Sequence, residues 1–204
     1  DGTVYILDSG NNRIVVADEH WNVIRIIDGF DNNGTPDTFG NPNGIFVSET
    51  GKIYVADTDK RRVVVLTGQG ELVKIVENPQ SEVLPANFEF APLKVTADRA
   101  ERIFVVARGV YEGIMQFNDT GEFLGYVGTI KVQPSVADRL WRWLATDAQK
   151  SQMVLFIPTE FSSVDIDDKG FVYATNIDVG STETIKRINP LGKDVIKRFG
   201  HYPN

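Results

Sequence analysis

Short apolar runs separated by polar corners recur along the chain in one fixed order. Thr3-Val4-Tyr5-Ile6-Leu7-Asp8 returns as Lys52-Ile53-Tyr54-Val55-Ala56-Asp57, as Arg102-Ile103-Phe104-Val105-Val106-Ala107 and as Phe171-Val172-Tyr173-Ala174-Thr175-Asn176. After each comes a corner and a second run: Arg13-Ile14-Val15-Val16, Arg62-Val63-Val64-Val65, Gly113-Ile114-Met115-Gln116-Phe117 and Ile185-Lys186-Arg187-Ile188. The runs are too short for helices and rich in β-branched and aromatic residues, so they predict strands. Their recurrence marks a repeat architecture, because one such unit cannot bury its apolar faces without neighbours. Val4 to Ile53 is 49 positions, Ile53 to Ile103 is 50 and Ile103 to Val172 is 69, so the third interval carries an insertion.

Tight turns at Thr50-Gly51, Gln69-Gly70, Asp119-Thr120-Gly121, Asp168-Lys169-Gly170 and Leu191-Gly192 punctuate the runs and complete units of four antiparallel strands. Four-stranded antiparallel units repeated around an axis predict an all-β fold, a β-propeller. The expected blades are a partial one over 1–30, then 44–78, 92–128 and 159–200, with an insertion over 129–158. The first lacks its opening strand, which leaves fifteen strands and an open edge, a hazard that larger rings avoid. The expectation is part of a six-bladed propeller, its missing blades supplied by the remainder of a parent chain or by a partner.

In such blades the second-to-third corners and the crossings between blades share one face. The crossings are long, from Asp28 to Asn43, Asn78 to Pro92 and Gly128 to Phe161, whereas the hairpins of the other face are minimal. Elaborated loops carry function, so the binding surface is expected on the crossing face. The longest crossing predicts a helix over 136–150 with Leu140, Trp141, Leu144 and Ala148 in one apolar stripe. Trp143 lies off that stripe and is a candidate anchor for a partner. Asp8 with Arg13, and Asp57 with Arg62, sit five apart across equivalent corners and read as structural pairs. The third corner departs from this pattern, which makes Arg108, Tyr111 and Glu112 ligand-binding candidates, together with Glu160 and Asp178.

Composition narrows the chemistry. A net charge of −7 disfavours nucleic acid, whose phosphates call for clustered Lys and Arg. No apolar run is long enough to span a bilayer, so a soluble chain is expected. With no cysteine and two histidines, thiolate sites, disulfides and polyhistidine metal centres are excluded. Neither the Asp28 to Gly34 segment nor the Asp165 to Gly170 segment fits an EF-hand, although Asp31, Asn32 and Asp37 form a weak oxygen-ligand set. No hydrolase elbow, zinc-helix or phosphate-loop motif occurs, and no cofactor is expected.

Ile53-Tyr54-Val55-Ala56-Asp57-Thr58, followed by Arg62-Val63-Val64-Val65 and Gly70-Glu71-Leu72, resembles an NHL repeat, and Val4 to Ile27 matches nearly as well. The stretch from Asp138 to Leu144, with Gln152-Met153-Val154 and Ile157 to Phe161, is similar to a segment of gluconolactonase-like NHL-repeat proteins of Gram-positive bacteria. The resemblance implies an extracytoplasmic or cell-surface propeller. Two functions then stand. The leading one is a non-enzymatic binding module that recognises a protein or carbohydrate-like ligand on the crossing face. The alternative is a lactonase-like hydrolase holding a divalent cation, with Asp31, Asp178 and Glu160 as candidate acids.

Overall fold

The strand runs owe their unbroken apolar character to burial on both sides. In the computed structural model, which describes residues 2–128, 160–176 and 184–196, Val4–Asp8 (β1), Arg13–Ala17 (β2) and Val23–Ile27 (β3) form the first antiparallel sheet. Gly29–Asn32 (β4) and Thr35–Thr38 (β5) form a hairpin of their own. Pro42–Val47 (β6), Ile53–Asp57 (β7), Arg62–Leu66 (β8) and Leu72–Val76 (β9) make a four-stranded sheet in that order. Another consists of Pro92–Ala97 (β10), Ile103–Ala107 (β11), Ile114–Phe117 (β12) and Phe123–Val127 (β13). The last holds Phe161–Ile166 (β14), Val172–Asn176 (β15) and Ile185–Ile188 (β16).

Successive side chains of a strand point to opposite faces. In β7, Ile53 and Val55 pack toward the first sheet with Ile14, Val16 and Ile27. Tyr54 and Ala56 turn the other way, into a core shared with Ile103, Val105, Met115 and Phe117. The same division recurs in β11, where Phe104 and Val106 join Val164, Val172, Ala174 and Ile188 of the last sheet. An unbroken apolar run is thus two interleaved alternating sets, one for each neighbouring sheet. Outward from these strands burial falls, and β13 holds no fully buried residue.

The first strand of each later sheet is the innermost: β10 packs against β6 on one side and β14 on the other. The approach is close at Gly44, where a Cβ would lie 2.7 Å from the Leu93 carbonyl oxygen and 2.9 Å from Lys94 Cα. Each innermost strand opens with a bulge, between Pro42 and Gly44, Pro92 and Lys94, and Phe161 and Ser163.

Three expectations meet differences. The crossing from Asp28 to Asn43 is a folded hairpin: Asn33 at φ 54° and Gly34 at φ 87° make the two-residue turn that joins β4 to β5. The sheet expected from residue 44 begins at Pro42. The fourth strand expected from Asp194 is represented by a bridge between Ile188 and Asp194, while 197–199 lie outside the described residues. The helix over 136–150 with Trp143, most of the insertion, and Asp178 also lie outside them.

Candidate functional site

The corners between second and third strands are built alike. Asp8 closes β1 and Arg13 opens β2 opposite it, and Arg13 Nε donates to Asp8 Oδ2 at 2.8 Å. Asn11 donates to both Asp8 oxygens, and these bonds, with those of Arg13, hold the carboxyl below its ordinary range. Asp57 and Arg62 meet in the same register at the same distance, but Asp57 is fully buried. Asp57 Oδ1 takes the Gly40 N–H at 2.6 Å, which fixes the entry into β6. Burial pushes the Asp57 carboxyl up against the opposing pull of Gly40 and Arg62.

Arg62 also carries the inserted hairpin. It donates to both oxygens of Asp37, at 2.6 and 3.1 Å, and lies 5.4 Å over the Phe30 ring. Lys60 Nζ adds a bond to Asp37 Oδ1 at 2.8 Å. The Arg62 bonds, with help from Lys60, hold Asp37 far below the usual carboxylate range against some desolvation. In the weak metal set, Asp37 is held by two cations, Asp31 Oδ1 accepts the Gly34 N–H of the turn at 2.7 Å, and Asn32 reaches Asp37 at 3.4 Å. Among the described residues, no group of three or more His, Cys, Asp or Glu side chains could hold a metal ion.

At the third corner Ala107 leaves no acid, and one arrives from the next crossing. Glu160 Oε1 accepts the Gly109 N–H at 2.8 Å across 51 residues. Arg108 N donates to the Ala91 carbonyl at 2.9 Å, the counterpart of Asp59 N to Gly40 at 3.0 Å. The Arg108 side chain borders a cleft with Thr58, Asp59, Arg61 and Glu89, in which Arg61 pairs with Glu89 at 2.9 Å. Tyr111 is exposed, and Glu112 turns back to accept its backbone N–H.

Inward from this corner, the bulged starts of the innermost strands surround a cavity of about 310 Å³ lined by Asn43, Leu93, Lys94, Glu160, Phe161 and Ser162. A bulge turns a side chain that regular pleating would aim elsewhere, and each of the three strands uses its own in this place. Lys94 Nζ donates to the Asn43 carbonyl at 2.6 Å, which leaves two of its three N–H groups for another partner. Asn43 Nδ2 is held by Asn41 O and Thr58 Oγ1, both at 2.9 Å. Thr58 Oγ1 in turn donates to the Pro92 carbonyl at 2.6 Å, tying two sheets together below the cavity. Ser162 shares a hydroxyl contact with Thr175 at 3.0 Å.

Among the described residues, Glu160 is the one sequence candidate at this mouth, next to the corner that holds Arg108, Tyr111 and Glu112. Asp31, on the inserted hairpin, lies by Leu72, Lys74 and Glu77 at β9, the outermost strand of the β6–β9 sheet, and shares no site with Glu160. Asn43, Lys94 and Ser162 went unrecognised. A signal for the first two was present: Pro42 and Pro92 stand 50 residues apart, just ahead of Asn43 and Lys94, at the start of the innermost strands.

No family model and no curated protein matches the chain. Solved structures do. A virginiamycin B lyase from Staphylococcus aureus is 13% identical, with 96% of this chain and 51% of its own covered at a TM-score of 0.58. A protein assigned to the gluconolactonases is 13% identical, with 94% and 58% covered at 0.60. A chain of a nidogen–laminin complex is 17% identical, with 96% and 58% covered at 0.56. The fold is a β-propeller. The chain spans little more than half the length of these neighbours, which share its fold and differ in what they do. The Asn43–Lys94–Ser162 cavity lies where the innermost strands β6, β10 and β14 begin, on the crossing face.

Proposed function

We propose that this chain is the non-enzymatic binding part of an NHL-type propeller, with a carbohydrate-like ligand seated at the channel mouth on the crossing face. One observation carries the reading: the three bulged strand starts bring the donors of Lys94, the amide oxygen of Asn43, the hydroxyl of Ser162 and the acceptor of Glu160 around Leu93 and Phe161. Alternating donors and acceptors beside apolar carbon suit a ligand whose hydroxyl groups surround a ring. The corner carboxylates are engaged in holding the backbone, so they serve as scaffold rather than acid–base groups. Glu160 anchors Gly109 through one oxygen and also lines the mouth.

The NHL likeness of the first two repeats supports the family reading and an extracytoplasmic setting, where sugars are encountered as ligands. Among the described residues no helix is long and apolar enough to cross a membrane. A glycan array probed with the whole chain, followed by titration of any hit against Lys94→Met, tests the proposal. Saturable binding weakened about tenfold by Lys94→Met, the loss of one charge-assisted hydrogen bond, supports it. Binding that Lys94→Met leaves unchanged, or no binding across the array, refutes it.

A further inference from the structure

The hairpins of the opposite face enclose a groove of about 420 Å³ between three successive sheets. Its floor consists of the last residues of the innermost strands, Phe46, Val47, Ala97 and Ile166, with Tyr54 of β7 alongside. A cleft of that size with apolar walls and a few orienting polar groups has the form of a small-molecule site. Phe46 and Tyr54 lie ring to ring at 6.0 Å, tilted by 52°.

The rim is acidic, with five carboxylates against the single guanidinium of Arg99. Most of them clamp the hairpins. Glu49 takes Arg99 of the next sheet through both oxygens, at 3.0 and 2.9 Å, and Glu101 pairs with Lys52 in the opposite direction. Asp98 accepts Arg102 and two backbone N–H groups, and Asp167 accepts two backbone N–H groups and the Tyr173 hydroxyl. Asp168 alone has no hydrogen bond among the described residues. The clamps explain the acids without a ligand.

Tyr54 is what they do not explain. It is fully buried, and its hydroxyl has no hydrogen-bond partner. A desolvated hydroxyl left unpaired is a standing penalty that folded proteins rarely accept. Burial, with the charges of Glu101 and Asp98, pushes its ionisation up to about 12, so it stays a neutral group able to donate and to accept. Tyr54 lines the groove beneath that rim.

We infer that this groove is a second ligand seat, separate from the channel mouth, and that it takes a small amphipathic amine. The apolar body covers Phe46, Val47 and Ile166. The ammonium sits beside Asp168 and the aromatic faces, which attract a cation, and it supplies Tyr54 with its missing partner. The rim's excess of carboxylates repels an anion of the same shape.

Three probes of one shape test this on the whole chain by titration calorimetry: phenethylamine, phenethyl alcohol and hydrocinnamate. The amine is expected to bind about tenfold tighter than the alcohol, as a charge-assisted contact implies, and hydrocinnamate not to bind. Tyr54→Phe should melt no lower than the parent and bind the amine several-fold more weakly, while Asp168→Asn should narrow the gap between amine and alcohol. Equal binding of all three, preference for the acid, or no binding at millimolar probe would overturn the inference. So would amine affinity unchanged in Asp168→Asn, a surface substitution that stays informative even if Tyr54→Phe fails to fold.

Discussion

Replacing Arg62 with Met keeps the apolar stem and removes the charge that joins Asp57, Asp37 and the inserted hairpin. In the native structure the Arg62 side chain is 11% exposed and Asp57 0%, so the substitution strands a buried carboxylate whose one remaining listener is the Gly40 N–H. Breaking a buried pair by deleting one partner costs about 3–5 kcal/mol. The lower end applies, because Asp37 keeps Lys60 and is itself partly exposed. The cost depends on pH, and both acids set the same sign. Asp37 has a depressed carboxyl, so its contribution is present above the unfolded carboxylate range and is lost as pH falls through its folded value. Asp57 has a raised carboxyl, which disfavours the native state once pH rises through the folded value. Losing Arg62 raises it further, and acidification neutralises the stranded charge. Urea unfolding at neutral pH should therefore show a loss of about 3 kcal/mol, which shrinks as acidification protonates the stranded Asp57 and shrinks further below about pH 4, where the Asp37 contribution begins to fall away. A loss below about 1 kcal/mol at neutral pH, the scale of a surface pair, or a loss independent of pH would refute the reasoning.

Gly44→Val should destabilise the chain by at least about 1–3 kcal/mol, since the new Cβ meets the backbone of Leu93 and Lys94 rather than a side chain that can turn away; thermal unfolding measures it, and an unchanged midpoint would contradict the close packing of β6 on β10. Thr58→Val, which keeps the shape and removes the buried donor to Pro92 O, should cost about 1–3 kcal/mol in urea while leaving the sheets' circular dichroism unchanged.

The strands were legible because each encodes its two neighbours locally: Ile53 and Val55 for one sheet, Tyr54 and Ala56 for the next, in adjacent positions of one run. The corners were legible for the same reason, since Asp57 and Arg62 lie within one turn of chain. Contacts across long separations were not. Nothing near Arg62 announces Asp37, 25 residues upstream, and nothing near Gly109 announces Glu160, 51 residues downstream. The hairpin β4–β5 was missed although its Asn33-Gly34 turn is a strong local signal, because Asp31, Asn32 and Asp37 invited a metal reading first. The channel mouth escaped for a subtler reason. Its side chains are aimed by bulges, and a bulge shifts the register by one residue where alternation alone would assign Asn43 and Lys94 to other faces.

The most direct test of the binding account is an amide chemical-shift map of the whole chain titrated with the tightest glycan from the array, followed over hours. The account predicts saturable shifts concentrated at Asn43, Leu93, Lys94 and Glu160 to Ser162, with the ligand's own signals unchanged in time. Shifts confined to the outer strands, or the growth of product signals from the ligand, would contradict it.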